Sequence, residues 1–173
     1  MTEFIYFSHA SVDESFFGIL GAQMETLHPG AFKVHYFDVA ALNKSPELFS
    51  QAISAAQSCD LVMADTSGTF VYFDGFKTLL ETFVGNKKMF FRSGIEGEAE
   101  ELFEQMGISS QQYSSILRYM RAGGLDNYMS MSLYIANEFS GEGFETPEAV
   151  FTKWQCLYSS SGRIEDEEQY LKT

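Results

Sequence analysis

The segment "DLVMAD" (60–65) decides the fold, because it is a short apolar run that ends in an acidic residue. A run without polar alternation is typical of a strand that is buried on both faces of a sheet. Such strands occur almost only in parallel sheets, whose two faces are covered by helices. The segment therefore predicts an α/β protein.

The chain on either side of this run repeats a strand–helix order. A second signal is Ser45 before Pro46, which is an N-cap followed by proline at the first helical position. Four strand–helix units in succession predict a flavodoxin-like, doubly wound parallel sheet with helices on both faces. The predicted strands are 3–9, 31–39, 60–65 and 87–93, and the predicted helices are 11–28, 45–59, 72–85 and 96–107.

After residue 107 the pattern becomes helical, and a Gly-Gly pair interrupts it in "YMRAGGLDNYMSMSLYI" (119–135). Gly123 or Gly124 is expected to supply the left-handed conformation that ends one helix. Asp126 or Asn127 is expected to cap the next helix. The sequence thus predicts a flavodoxin-like domain (1–107), a helix–Gly-Gly–helix appendage of the same domain (108–140) and a linker or tail (141–173) that leads to a next module.

Composition excludes several classes of function. The 173 residues include 24 acidic and 11 basic side chains, a net charge of −13, so phosphate backbones and anionic lipids would be repelled. We expect neither nucleic acid nor a membrane as partner. The two distant cysteines, without CxxC spacing, fit a reducing compartment, and no signal peptide or membrane-length apolar run occurs. A cytoplasmic location is therefore expected.

A ligand site is expected where the strand order of a doubly wound sheet reverses. Ligands of such sheets bind beyond the carboxyl ends of the strands, here near the first and third strands. Small polar side chains and loop amides at these ends suit a carboxylate or a phosphate. The predicted ligand-binding residues are Ser8, His9 and Ser11 on one side, and Thr66, Ser67 and Gly68 on the other.

Motifs for catalysis or metal binding are missing from the sequence. It contains no Walker loop, no HxxxH or HExxH and no GxSxG. Cys59 opens an apolar strand, as a buried small hydrophobe does. The acidic residues Glu98, Glu101 and Glu104 fit one solvated helix face. We therefore predict no catalytic residue, no metal site and no cofactor in this chain.

The helical corner resembles the large subunit of cobaltochelatase, the CobN family, and the related large subunit of magnesium chelatase. That family carries a tyrosine, a Gly-Gly pair and an asparagine before an apolar helix, which correspond here to Tyr119, Gly123, Gly124 and Asn127. The stretches "ADTSGTFVYFDGF" (64–76) and "DEEQYL" (166–171) also resemble the family, as do Pro147 and Tyr158 in the segment between them. Ser159 and Ser160 stand where the family has His-Pro.

The resemblance implies a non-catalytic N-terminal domain of a cobalt or magnesium chelatase large subunit. Such a domain would contribute to tetrapyrrole binding or subunit assembly in the biosynthesis of cobalamin or a chlorophyll-type cofactor. Its partners would be the rest of a longer large subunit and the AAA+ subunits that hydrolyse ATP. The tetrapyrrole and a divalent metal are implied for the full family.

Three other interpretations use the same fold class. A free-standing flavodoxin-like module would bind a small anionic ligand or a protein partner. A receiver domain would use Asp65 as its phospho-acceptor, but the first strand ends in Ser8-His9 rather than in the acidic pair that receivers need. Flavin binding rests on analogy of fold alone.

Overall fold

The structure of the protein, a computed structural model, describes residues 1–9, 13–66, 68–95, 97–151, 157–159 and 162–164. Its main sheet has four parallel strands in the order β2-β1-β3-β4. These strands are β1 (Thr2–Ser8), β2 (Phe32–Asp38), β3 (Leu61–Asp65) and β4 (Lys88–Arg92). The predicted α/β class and flavodoxin-like sheet are confirmed, and the strand order reverses between β1 and β3.

Helices connect the strands and cover both faces of the sheet. Right-handed crossovers in a parallel sheet put the β1–β2 helix on one face and the later connecting helices on the other. Ser45 caps the helix over Pro46–Ser58, with Pro46 in its first turn, as predicted. The helices are α1 (Asp13–Leu27), α2 (Val39–Leu42), α3 (Pro46–Ser58), α4 (Phe76–Phe83), α5 (Phe103–Met106), α6 (Ser110–Ala122) and α7 (Leu125–Ser140), with a 3₁₀ turn at Phe70–Tyr72.

Strand β1 lies at the centre of the core, and all seven of its residues are buried. Successive side chains of a strand point to opposite faces of the sheet. The ring of Tyr6 contacts Phe17 of α1, with ring centroids 4.4 Å apart. The next residue, Phe7, contacts Phe73 on the other face at 5.7 Å. Aromatic residues therefore fill the core on both sides of β1, as the 17 phenylalanines of the sequence suggest.

Helices α6 and α7 lie on the same face as α1. Phe90 of β4 stacks on Tyr113 of α6 with ring centroids 5.0 Å apart. Phe17 of α1 meets Tyr128 of α7 edge to face at 5.9 Å. The two helices thus cover the part of this face that α1 leaves open, and the predicted domain boundaries at residues 107 and 140 stay predictions.

The predicted helix over 96–107 is wrong in its first half. The chain forms turns over 97–102, and only α5 is helical before Gly107. Gly97 has a φ of +87°, which breaks the helical path at the start. Gly107 has a φ of 66° and ends α5 in the left-handed conformation, so the end of the helix is predicted correctly.

Both glycines of the corner between α6 and α7 have positive φ. Gly123 has φ 64° and ψ −179°, and Gly124 has φ 77° and ψ 157°. This region of φ and ψ is populated almost only by glycine. The prediction of positive φ is confirmed, although ψ is extended rather than helical at both positions.

The predicted cap of α7 is wrong, because Gly124 occupies the N-cap position and no side chain caps the helix. Asn127 turns instead to a distant segment of the chain. Its Nδ2 donates to the carbonyls of Gly123 (2.7 Å) and Val150 (2.9 Å), and its Oδ1 accepts from the Val150 amide (2.8 Å). The side-chain amide offers the same donor and acceptor as a peptide group, so it pairs with both backbone groups of Val150.

The predicted linker over 141–173 contains a short strand pair. Residues 141–151 form neither helix nor strand, whereas β5 (Leu157–Ser159) pairs antiparallel with β6 (Gly162–Ile164). No helix in the described part of the chain combines the length and the apolar character that crossing a membrane requires.

A buried carboxylate lies at the amino end of the sheet. The side chain of Glu3 is 11% exposed, and its Oε1 accepts hydrogen bonds from Lys33 Nζ (2.9 Å) and Ser58 Oγ (3.0 Å). The same oxygen lies 2.6 Å from His35 Nε2. Burial by itself raises the pKa of Glu3, but hydrogen bonds from Lys33, His35 and Ser58 outweigh it and lower the pKa to about 2.

Replacing Glu3 with Gln should remove a pH-dependent part of the stability. A carboxylate whose pKa falls from 4.5 to about 2 on folding stabilises the folded chain above about pH 4.5, and this stabilisation disappears as the pH falls to about 2. Urea unfolding across that range should show a difference between parent and E3Q that shrinks with acidity. Glu81→Gln, at an exposed pair, serves as the control. A difference that is constant with pH would contradict the ion-pair assignment.

Replacing Gly123 and Gly124 together with Val should destabilise the chain by more than about 1 kcal/mol per site. The cost comes from the backbone alone, because a Cβ at either glycine would meet no atom within 4 Å. Thermal unfolding measures the effect. Gly143→Val is the matched control, since Gly143 is exposed, has equal space and lacks positive φ. An unchanged melting temperature in the double variant would refute the strained corner.

Candidate functional site

The predicted ligand residues lie at the carboxyl edge of the sheet, around the β1–β3 junction. Ser8 ends β1 and is 4% exposed, and Thr66 follows β3 and is 1% exposed. His9 and Gly68 are half-buried in the loops that follow these strands. Ser11 and Ser67 lie outside the described residues. The fold therefore brings the described members of the predicted set to the same edge, and their ligand-binding role stays a prediction.

The ring of Tyr72 lies between the two sides of this crevice. His9 meets the ring edge to face, with centroids 6.4 Å apart. A Cβ added to Gly68 would lie 2.7 Å from two ring carbons of Tyr72, so the ring packs directly on the glycine backbone. The crevice between His9 and Gly68 is thus covered by an aromatic side chain, which is itself 56% exposed.

The loop after β3 binds a carboxylate of the protein itself, which is the side chain of Glu98. Glu98 accepts hydrogen bonds from the hydroxyls of Thr69 and Ser93 and from the Phe70 amide. Its burial raises its pKa, but the bonds from Ser93, Thr69 and Phe70 outweigh this effect and lower the pKa of Glu98. The interpretation of Glu98 as part of a solvated helix face is wrong, because this residue joins the β3–α4 loop to the loop after β4.

Other backbone groups of the same loop are also used inside the protein. The Thr66 amide donates to the carbonyl of Arg92 at 3.0 Å. The Gly68 carbonyl accepts from the Gly94 amide at 2.7 Å. These bonds hold the two loops in a fixed relation, so they form one wall of the carboxyl edge.

Asp65, at the end of β3, forms a polar cluster with its neighbours. Tyr6 Oη donates to Asp65 Oδ2 at 3.0 Å, and Arg92 Nη1 donates to the same oxygen at 3.3 Å. Burial raises the pKa of Tyr6 well above its usual value, and the Asp65 charge raises it further. Asp65 is the residue that a receiver domain would phosphorylate, but here its carboxylate positions Arg92.

A groove beside this cluster carries two arginines. It has a volume of about 440 Å³ and lies between the loop after β4 and helix α6. Arg92 enters it from the end of β4, and Arg121 enters it from the last turn of α6. The other lining residues are Ser93, Gly94, Ile95, Gly97, Ala99, Glu100, Tyr113 and Leu117.

The groove is suited to an anionic group on an apolar body. A guanidinium has five N–H donors in a fork that matches a carboxylate, and Arg92 gives a single one to Asp65 through Nη1. Tyr113 and Leu117 provide the apolar wall, and burial raises the pKa of Tyr113 although both arginines lower it. Glu100 supplies the opposing charge at the rim. The tyrosine therefore stays neutral and the arginines carry the positive charge.

The sequence did not predict this groove, because its two arginines are far apart along the chain. Arg92 is the basic end of "KKMFFR" (87–92), and Arg121 precedes the Gly-Gly pair. A usable signal is that the whole acidic sequence contains four arginines, and Arg92 is the last residue but one of the predicted strand 87–93. Among described residues, a group of three metal-ligand side chains lies at the opposite edge of the sheet, where Glu3, His35 and Cys59 meet.

Replacing Glu98 with Ala should loosen the contact between the two loops. Loss of the carboxylate leaves the Phe70 amide and two hydroxyls without their acceptor, so the free energy of unfolding should fall by about 1 kcal/mol. Hydrogen exchange at the Phe70 amide should accelerate more than exchange in the strands. Glu101→Ala is the matched control, because Glu101 is an exposed residue of the same segment. Equal exchange at Phe70 in both variants would show that Glu98 does not join the loops.

Comparison with known proteins gives an informative structural similarity. No protein-family model and no curated protein matches the sequence. Among solved structures, the chain is similar to the catalytic subunit of cobaltochelatase from Mycobacterium tuberculosis, with a TM-score of 0.63 and 16% sequence identity. The similarity covers 91% of this chain and 12% of that chain. Nearly the whole length of this chain therefore folds like a small part of a cobaltochelatase subunit.

Proposed function

We propose that this chain is a chelatase-related domain whose arginine groove binds a carboxylate side group of a tetrapyrrole. The observation that carries the proposal is the placement of Arg92 and Arg121 in one groove of a chain with a net charge of −13. An anion is repelled by most of this surface, so the paired guanidinium groups are the place where it is stabilised.

The fixed position of Arg92 supports this role. Asp65 and the strand end hold the guanidinium, while the side chain stays 36% exposed to the groove. A pre-positioned arginine loses little conformational entropy when it binds a carboxylate. Arg121 approaches from a different element, α6, so the two charges can bind both oxygens of one group or two neighbouring groups.

The apolar lining favours a carboxylate that is attached to a ring over a free small anion. Ile95 is 54% exposed at the rim, and Tyr113 and Leu117 line the wall. A volume of about 440 Å³ suits a side group and one edge of a macrocycle. The remaining contacts of the macrocycle would come from the rest of a longer large subunit, and we expect no chelation or ATP hydrolysis by this chain alone.

Subunit assembly is the second candidate function, and a different observation favours it. Val71 is 73% exposed and Tyr72 is 56% exposed, side by side in the 3₁₀ turn at the carboxyl edge. Contiguous exposed apolar surface marks protein contacts, and Val71 and Tyr72 are adjacent exposed apolar residues that such a surface would include. The partner would be another part of a chelatase large subunit or an AAA+ subunit.

Calorimetric titration with a corrinoid that has free carboxylate side groups should detect binding. The same macrocycle with those groups amidated should bind more weakly. Arg121→Gln should weaken binding about tenfold, which corresponds to the loss of one charge-assisted hydrogen bond. Arg118→Gln is the matched control, since Arg118 lies on the same helix, changes the charge equally and is not among the lining residues of this groove.

Backbone NMR shifts in the same titration should locate the ligand. Shifts at Ser93–Gly97 and along α6 support the proposal. Shifts confined to His9, Thr66 and Gly68 would show that the ligand binds in the crevice that the sequence predicted and not in the groove. Equal affinity for the carboxylate and amide forms, or equal effects of R121Q and R118Q, would refute a carboxylate role for the groove.

A further inference from the structure

A group of three metal-ligand side chains lies at the amino edge of the sheet, opposite to the arginine groove. Glu3 comes from β1, His35 comes from β2, and Cys59 follows the last residue of α3. Glu3 pairs in register with Lys33, and Ile5 pairs with His35, so Glu3 and His35 share one face of the sheet. Three separate elements therefore hold these side chains.

The distances between the possible ligand atoms are short. The nitrogen, oxygen and sulfur atoms all lie within 4.8 Å of one another, and His35 Nε2 lies 2.6 Å from Glu3 Oε1. In a tetrahedral zinc site the bonds are about 2.0 to 2.3 Å, which puts ligand atoms about 3.3 to 3.6 Å apart. Side-chain shifts of about 1 Å would convert the present cluster into that geometry, without movement of the strands.

We propose that Glu3, His35 and Cys59 form a binding site for a divalent cation of the zinc type. Thiolate, imidazole and carboxylate together are the donors that Zn²⁺ takes, whereas Mg²⁺ and Ca²⁺ prefer oxygen alone. Three protein ligands leave a fourth position for water or for Ser58 Oγ, which already lies 3.0 Å from Glu3 Oε1. The site goes beyond the proposed tetrapyrrole function and does not depend on it.

Cation binding requires a change at Lys33, at Cys59 and at His35. Lys33 Nζ lies 2.9 Å from Glu3 Oε1 and would be displaced, which is feasible because the Lys33 side chain is 53% exposed. The Cys59 thiol donates to the Ala55 carbonyl and would lose its proton to solvent as the metal–sulfur bond forms. His35 donates its Nε2 proton to Glu3 in the present cluster, so in a neutral ring this proton would move through solvent to Nδ1 before Nε2 could bind the cation.

The surroundings of Cys59 keep its side chain protonated in the absence of a cation. Burial first, and the Glu3 carboxylate second, raise the pKa of Cys59 to about 12, so the free side chain is a thiol at neutral pH. The side chain is 0% exposed, which keeps it from larger reagents. The sequence predicted no metal site because these residues have no ligand spacing along the chain. The parallel sheet and the end of α3 bring them together.

Titration of the chain with Co²⁺, a spectroscopic substitute for Zn²⁺, tests the site. The parent for this experiment is the Cys156→Ser chain, which leaves Cys59 as its single cysteine. One equivalent of Co²⁺ should produce sulfur-to-cobalt charge-transfer absorption and the strong visible bands of tetrahedral cobalt. Zn²⁺ should then abolish these bands by displacement.

Variants separate metal binding from a purely structural role of the cluster. Cys59→Ser and His35→Gln should each lower Co²⁺ affinity by about tenfold or more. Lys33→Ala should raise the affinity, because it removes the competing ammonium, and an ion-pair network without metal function would not predict this gain. Lys44→Ala is the matched control for the lost charge. No charge-transfer band in the parent, or an unchanged band in C59S, would overturn the proposal.

X-ray absorption of the zinc-loaded parent provides a test that needs no ligand variant. One sulfur and three lighter atoms in the first coordination sphere would support the site. A sphere of nitrogen and oxygen alone would overturn it. Because the arginine groove takes no part in this measurement, failure here would leave the tetrapyrrole proposal intact, and failure of the tetrapyrrole titration would leave the metal site intact.

Discussion

Parallel pairing of β1 with both of its neighbours is the interaction on which the rest of the structure depends. Ser8 is in register with Asp38 on one side and with Asp65 on the other. Since all four strands run in the same direction, their carboxyl ends meet at one edge and their amino ends at the other. A one-residue shift of β1 would turn Glu3 away from His35 and Tyr6 away from Asp65. The Glu3–His35–Cys59 cluster and the Tyr6–Asp65–Arg92 cluster therefore both depend on the register of β1.

An acidic chain has to stabilise its own carboxylates, and this chain uses several of them as internal anions. Asp38 accepts the Ala40 amide at the start of α2, and Asp65 accepts Tyr6 and Arg92. Glu98 accepts the Phe70 amide, which belongs to the loop that we expected to bind an external anion. Carboxylates of the chain itself thus accept hydrogen bonds from many of the donors at the carboxyl edge of the sheet. In the proposed function, an incoming anion is therefore recognised through the charges of Arg92 and Arg121.

Local physical rules predicted the features that depend on neighbours along the chain. Hydrophobic runs predicted the four parallel strands, Ser45 before Pro46 predicted the start of α3, and the Gly-Gly pair predicted positive φ. The errors occur where distant contacts decide. Glu98 lies in turns rather than in the predicted helix, and two hydroxyls and an amide from other parts of the chain bind its carboxylate. The arginine groove and the Glu3–His35–Cys59 cluster depend on strand order, which residue spacing does not encode.

The residues that carry the resemblance to chelatase large subunits have a structural role that explains their combination. Tyr119 Oη donates to the Pro147 carbonyl at 2.8 Å, and Asn127 pairs with both backbone groups of Val150. The glycines turn the chain so that α7 begins at once and Asn127 faces the returning segment. Asn137 repeats this pairing with both backbone groups of Phe144. A tyrosine, two glycines and an asparagine therefore form a clamp on the backbone over residues 147–150. Such a clamp ties residues 147–150 to the corner between α6 and α7.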